Sequence, residues 1–267
     1  WMPGWEARVD EAVNAAEKAQ VVFQDLGLQA RVKIIDAMRK VSVDNAARWA
    51  QLAVAETGMG RVEDKTQKNL LSALRTPGVE DLRSISYTGD KGLTLVEWAP
   101  FGVVAAITPS TNPVATIISN GIGILAAGNS AVFSPHPAAK GCVQDCVRAL
   151  NSAIMSAGGP ANLVATVEKP TQESTRELLA HPKGRMNIVT GGPAIVKVAM
   201  TVGKACKTIA AGPGNPPIVV DETAVFPDCA REIIKGCGFD NNVLCIAEKE
   251  VIVTGKARAL FFESMRK

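Results

Sequence analysis

Gly102-Val103-Val104-Ala105-Ala106-Ile107-Thr108-Pro109-Ser110-Thr111-Asn112-Pro113 packs a strand, a loop and a helix start into one short stretch. The small and β-branched run at 102–107 reads as a buried strand. Thr108 to Asn112 is a polar loop, and Pro113 suits the first helical position with Asn112 as N-cap. Val114, Ile117, Ile118, Ile122 and Leu125 make the following helix apolar nearly all round, so it is buried, and Gly128 closes it. A strand that feeds a covering helix through a short loop is the repeating unit of a parallel sheet.

Downstream the unit repeats. Strands are predicted near 102–107, 130–133, 162–167, 187–190, 207–210 and 217–220, with helices near 113–127, 140–157, 172–180, 193–203 and 228–237. This alternation predicts an α/β fold, a Rossmann-like, mostly parallel sheet with helices on both faces. Upstream, Val9, Val13 and Ala16 give an amphipathic helix over 5–24, and Ile34, Met38, Val41, Trp49 and Leu52 one long helix or two over 28–56. Gly58 and Gly60 stop that segment, and a further helix is expected over 62–75. These helices show no chemistry; their expected role is to cover the sheet. Ile85 to Tyr87 and Leu93 to Trp98, joined through Gly89-Asp90-Lys91-Gly92, read as a hairpin. The expected division is a dinucleotide-binding domain at 1–238 and the start of a catalytic lobe at 239–267.

The chain has 267 residues, 47% of them hydrophobic, enough for a substantial core. Its net charge of +3 is spread out, without a basic block for nucleic acid. No apolar run is long enough for a bilayer, and no signal-peptide pattern occurs, so a cytoplasmic location is expected. Six cysteines without a CxxC pair and only two histidines argue against a zinc site and for free thiols. Cys142 and Cys146, and likewise Cys229 and Cys237, share helix faces and read as packing. The chain opens on Trp1 rather than Met and stops inside a predicted helix, Ala257 to Lys267, so both ends are expected to be cuts.

Ligands of such sheets sit at the carboxyl ends of the strands. In the first loop there, Asn112 either caps its helix or donates its amide to an oxyanion, with Thr111 as the rival donor. In the second, Ser134-Pro135-His136-Pro137, the prolines keep the backbone extended, and His136 is either a solvated loop residue or a cofactor contact. In the third, Thr190-Gly191-Gly192-Pro193, glycines precede a helix N-terminus, either an ordinary tight turn or a phosphate seat. The fourth, Ala210-Ala211-Gly212-Pro213-Gly214-Asn215-Pro216-Pro217, is shaped and rigid but holds no acid or base. Finally, Phe239-Asp240-Asn241-Asn242-Val243-Leu244-Cys245-Ile246-Ala247-Glu248-Lys249 brings an Asn-rich turn to a single cysteine before a β-branched run. Cys245 is either a nucleophile or a buried thiol opening a strand.

Several motifs in order carry a resemblance from about residue 50 onward. They are Glu56–Gly60, Pro100–Val104, Thr108–Pro113, Ala127–Ser130, Ser134–Pro137, Ala157–Pro160, Thr190–Gly192, Gly212–Pro217 and Phe239–Lys249. Together they resemble the aldehyde dehydrogenase superfamily, and more narrowly its CoA-acylating branch found in bacterial microcompartments. The resemblance implies that Cys245 is the catalytic nucleophile and that Asn112 lies by the oxyanion. It also implies that Ile107, Thr108, Pro109, Ser110, Ser134, His136, Pro137, Gly159, Pro160, Thr190, Gly191, Gly192 and Gly212 bind a nicotinamide dinucleotide. Hydrolytic relatives carry a glutamate in the loop matching Ala210–Gly214. Without that base, water attacks a thioester slowly, and a thiol such as coenzyme A takes the acyl group instead. Ser134 and Pro137 stand where relatives grip the ribose with lysine and glutamate. No carboxylate there repels a 2′-phosphate, so NADP is expected beside NAD. The implied reaction turns a short-chain aldehyde, CoA and NAD into acyl-CoA and NADH, in a homo-oligomer formed through the hairpin and associated with a microcompartment shell. The alternatives are a hydrolytic aldehyde dehydrogenase and a dinucleotide-binding module without turnover.

Overall fold

Val103–Thr108 (β4) is buried at every position, and its alternating side chains divide the interior in two. Val104 and Ala106 face one hydrophobic cluster; Val103, Ala105 and Ile107 face the other. A strand apolar on both sides needs cover on both sides. The computed structural model describes residues 6–202 and 206–266. In it, β4 lies in the interior of a six-stranded parallel sheet of order β1-β6-β5-β4-β7-β8. Its other strands are Glu6–Ala7 (β1), Ser130–Pro135 (β5), Val164–Val167 (β6), Gly184–Thr190 (β7) and Lys207–Ala211 (β8).

The face of Val104 is covered by Gly27–Thr57 (α2), Pro113–Ala126 (α4) and Lys140–Ser156 (α5), with Val62–Arg75 (α3) packed outside on α2 and α4. Trp49, Met38, Ile117, Ile122, Leu150 and Phe133 are fully buried there. Each contributes about 1.5–3 kcal/mol by leaving water. The opposite face holds Val9–Gln24 (α1), Gln172–Ala180 (α6) and Pro193–Val202 (α7), through Val13, Ala16, Leu178, Leu179 and Ala199. The predicted helix over 28–56 is one unbroken element ending at Gly58. The predicted first helix starts later, at Val9, because Glu6–Ala7 pairs with β6 as an edge strand. Residue 5 of that helix, residue 203 of the one over 193–203, and Lys267 lie outside the described residues.

One strand departs from expectation. Pro217–Val220 (β9) does not extend the large sheet; it pairs in parallel with Glu250–Val253 (β10). With Asp228–Gly238 (α8) and Arg258–Met265 (α9), these strands close a separate small core around Val220, Ala230, Ile233 and Phe261. The boundary expected at 238/239 therefore falls inside this unit, because β9 has its hydrogen-bonding partner beyond residue 249. Ile85–Gly89 (β2) and Gly92–Val96 (β3) form the predicted antiparallel hairpin, exposed along its whole length.

The order fixes where a ligand fits. From β4 the chain steps to β5 and β6 on one side and returns to β7 and β8 on the other. A crevice opens where the direction reverses, outside the carboxyl ends of β4 and β7.

Candidate active site

A cavity of about 720 Å³ occupies that crevice, within the range typical of ligand sites. The end of β4 contributes Ile107, Thr108, Pro109, Ser110, Thr111 and Asn112 to its wall. His136 and Pro137 line it after β5, Thr190, Gly191 and Gly192 after β7, and Gly212 to Gly214 after β8. The segment Asn242 to Cys245 closes it from the small unit. Residues far apart in sequence thus share one wall because their strands end at one edge.

Three predicted contacts lie elsewhere. Ser134 is fully buried, its hydroxyl 3.1 Å from Thr175 Oγ1; Thr175 reaches the cavity and Ser134 does not. Gly159 and Pro160 are outside the lining. The Gly159 N–H donates to the Ile154 carbonyl at 2.9 Å, and a side chain there would strike Ile154 and Ile34. Lacking a side chain, Gly159 leaves room for Ile154 of α5 and Ile34 of α2. The cap expected of Asn112 is also absent: it holds the N-cap position of α4, but its side chain makes no capping bond.

Cys245 is the cysteine found in the cavity wall among the described residues, and it is half-buried. By contrast, burial pushes the Cys142 and Cys146 thiols well up, away from the thiolate form, and both sit in the main core. Cys229 and Cys237 pack against the small core.

The turn before Cys245 is strained and heavily tied. Asp240, Asn241 and Asn242 all have left-handed backbone, with φ of 49°, 53° and 58°. Asp and Asn tolerate this region better than other side chains, yet it persists only where the surroundings impose it. The Asp240 carboxylate is fully buried and accepts from the Arg61 N–H at 2.7 Å, from Lys65 Nζ at 3.0 Å and from Lys68 Nζ. The Asp240 N–H donates to Asp64 at 2.8 Å, and the Arg61 guanidinium donates to the Gly238 carbonyl at 2.8 Å. Gly60, with φ of 76°, makes room for this carboxylate, because a Cβ would fall on it. On the far side, the Asn242 amide donates to the Cys237 and Glu248 carbonyls, and Lys249 Nζ donates to the Leu244 carbonyl at 2.9 Å. Gly214 rests against the Cys245 carbonyl.

Sequence reasoning missed this role of α3. The helix over 62–75 reads only as cover, since a buried partner some 170 residues after Arg61, Asp64, Lys65 and Lys68 leaves no local signal. Burial lowers the Lys68 ammonium to about 8; the Lys65 charge presses the same way and Asp240 opposes it. Glu56 has a structural task as well, accepting from the Gly141 and Cys142 N–H groups at the start of α5 at 2.6 and 2.8 Å.

No aspartate or glutamate lines the cavity among the described residues, whereas Arg176 and Lys249 do. Lys249 is bound to carbonyl oxygens and an amide, so its charge is not cancelled there. A wall with cations, no carboxylate, and the start of α7 beside Gly191 and Gly192 fits a polyanion such as a dinucleotide or coenzyme A. Thr108 Oγ1, buried and without a hydrogen-bond partner among the described residues, adds an unused polar atom at that wall.

Residues 3–267 match the family model described as "Aldehyde dehydrogenase family". The chain is 50% identical over 245 residues to an acetaldehyde dehydrogenase (acetylating) of Bilophila wadsworthia, covering 92% of this chain and 50% of that protein. Its fold is similar to the crystal structure of Rhodopseudomonas palustris propionaldehyde dehydrogenase with bound CoA and an acylated cysteine, at TM-score 0.95 and 46% identity, covering 100% of this chain and 61% of that one. It is equally similar, at TM-score 0.95 and 44% identity, to a propionaldehyde dehydrogenase from the fucose utilisation microcompartment of Clostridium phytofermentans, covering 100% of this chain and 61% of that one. The chain thus spans half the length of the first of these relatives.

Proposed function

The chain belongs to the aldehyde dehydrogenase family, and on that premise we propose that the enzyme containing it oxidises a short-chain aldehyde on Cys245 and hands the acyl group to coenzyme A. The observation that carries this reading is the cavity wall itself, which joins Cys245 and Asn112 and holds no carboxylate among the described residues. Its likeness to enzymes described as acetylating, or holding CoA beside an acylated cysteine, supports the same ending.

Cys245 sulfur adds to the carbonyl carbon, giving a hemithioacetal whose oxyanion is met by the Asn112 amide and backbone N–H groups. A bound nicotinamide dinucleotide supplies the hydride acceptor that converts this adduct into a thioester. Ile107 to Ser110, His136, Pro137, Thr190 to Gly192 and Gly212 would hold it, from the crevice wall. Water is a poor attacker without a positioned base, a group worth 10²–10⁴ in rate. The CoA thiol is the stronger nucleophile, so it releases the acyl group as acyl-CoA. NADP serves beside NAD, since no carboxylate among the described residues of that wall repels a 2′-phosphate.

No described helix is long and apolar enough to cross a membrane. The likeness to a microcompartment enzyme supports a place inside such a shell, and the exposed hairpin supports a homo-oligomer.

The test is an assay of the full-length enzyme with short aldehydes, following NADH spectrophotometrically with and without CoA. Sustained turnover should require CoA and yield acyl-CoA. Cys245→Ala should abolish both while dinucleotide binding persists. Free acid formed at the same rate without CoA, or turnover surviving in Cys245→Ala, would overturn the reading.

A further inference from the structure

Lys68 projects from the inner face of α3 and is only 7% exposed. Besides its ion pair with Asp240, its ammonium donates to Asn112 Oδ1 at 2.5 Å. A lysine ammonium carries three donors and no acceptor. The oxygen of the Asn112 side chain must therefore face Lys68, and the NH₂ group is turned away from it. That NH₂ group donates to Thr111 Oγ1 at 3.1 Å and makes no other hydrogen bond among the described residues. One N–H of a residue in the cavity wall is thus left for a ligand.

An asparagine without such an anchor flips its two ends at little cost. A carbonyl turned towards a developing oxyanion repels it, whereas an N–H stabilises it. We propose that Lys68 is a positioning residue, holding Asn112 Oδ1 so that the amide N–H and not the carbonyl meets the oxyanion formed at Cys245. This rests on the reading of Cys245 as nucleophile and Asn112 as oxyanion donor. Lys65 supplies a natural control. It lies one turn earlier on α3 and holds the same carboxylate at 3.0 Å and the Thr111 carbonyl at 2.8 Å, but it has no bond to the Asn112 side chain.

The experiment compares Lys68→Met and Lys65→Met in the full-length enzyme, each alone and with Asn112→Ala. Losing one oxyanion donor costs about 10²–10³ in kcat. Lys68→Met should therefore lower kcat about 100-fold, with aldehyde KM and dinucleotide binding (by fluorescence) little changed. Lys65→Met, which loses the hold on Asp240 and on the Thr111 carbonyl but not one on Asn112, should lose clearly less kcat than Lys68→Met. In the Asn112→Ala background, Lys68→Met should cost no more than Lys65→Met does there, because no amide is left to orient and only the shared hold on Asp240 is lost. Equal kcat losses in the two lysine variants would mean a purely structural role and would overturn the proposal, as would wild-type kcat in Lys68→Met or, on top of Asn112→Ala, a further loss larger than that of Lys65→Met. If Lys68→Met does not fold, Lys68→Gln against Lys65→Gln carries the same test. Glutamine is polar but uncharged and one bond shorter than lysine, so a clear kcat gap supports the proposal and no gap sinks it. A wild-type enzyme without CoA-dependent NADH formation would instead refute the functional reading, whatever the lysine variants do.

Discussion

Two glycines in one loop separate what Cys245 needs from what its cavity lacks. A Cβ on Gly214 would fall on the Cys245 carbonyl, so Gly214→Ala must push the main chain of the proposed nucleophile aside. Misplacement of that kind is costly, because near-attack geometry is worth orders of magnitude in rate. Gly214→Ala is expected to lower kcat at least about tenfold, and to change the rate at which iodoacetamide alkylates Cys245; unchanged values for both would show that the loop yields freely. Gly212 is different. Its nearest neighbour for an added Cβ is Val196 at 3.9 Å, ordinary contact, and it lines the cavity. Gly212→Glu therefore places a carboxylate in the wall at little steric cost. If the lack of a base is what selects the thiol, this variant should release free acid from aldehyde in the absence of CoA, measured as the ratio of acid to acyl-CoA by chromatography. An unaltered ratio would mean that something other than the missing base keeps water out. At this scale the places of Cys245, Asn112 and most loop residues in the cavity wall were legible in the sequence, since each stands at or after the end of a predicted strand or in a motif. Ser134, Gly159 and Pro160 were not. Their motifs locate a loop but do not say which side chains turn towards the cavity and which pack beneath it.

Among the elements, α3 departs furthest from its sequence reading. Its length and ends agree with the spacing of its residues, 62–75 in both. Its task, clamping the left-handed turn ahead of Cys245, depends on Asp240 arriving from the far end of the chain. Helical periodicity reports which face is apolar; it does not report a charged face that becomes buried against another charge. That burial has a consequence for pH. Lys68 is lowered from 10.5 to about 8 in the fold, so the unfolded chain binds its proton more tightly than the native one. Below pH 8 both states carry the charge and the native state bears the full cost of burying it. Between about 8 and 10.5 the native state releases its proton first, and stability from this group rises with pH. The groups facing Lys68 are Lys65 and Asp240, with Asn112 neutral beside them. The difference in unfolding free energy between wild type and Lys68→Gln is expected to shift towards the wild type by at most a few kcal/mol across that window, read from denaturant melts at several pH values. A difference that stays flat, or moves the other way, would mean that the ammonium is not paying a burial penalty.

At the scale of the whole molecule, the sheet order makes the site and the hairpin sets the question of partners. The parallel sheet followed from strand–helix alternation, but β9 was misassigned to it because an isolated Pro-Ile-Val-Val run does not reveal which strand it pairs with. The hairpin was legible for a different reason: its turn chemistry is local. Its surface is unusual for a pair of strands standing alone. Ile85 and Tyr87 pair with Val96 and Thr94, while Ser86 and Thr88 pair with Leu95 and Leu93, so both faces carry apolar side chains. Leu93 is 69% exposed, and Trp98 just beyond the hairpin 68%. A two-stranded hairpin is marginal in water unless something packs on it, and an apolar surface of this kind marks an interaction site. The occupant expected is a second copy of the same chain, held through edge pairing and these side chains. Burying one leucine contributes about 1.5–3 kcal/mol, and an aspartate in its place adds an unpaired charge to the contact. Leu93→Asp with Leu95→Asp should therefore convert the full-length enzyme from oligomer to monomer in light scattering after size exclusion, with the cavity and its dinucleotide affinity intact. A wild-type enzyme that is already monomeric at micromolar concentration, or a double variant that keeps its oligomeric mass, would assign the hairpin's cover to another segment or another protein.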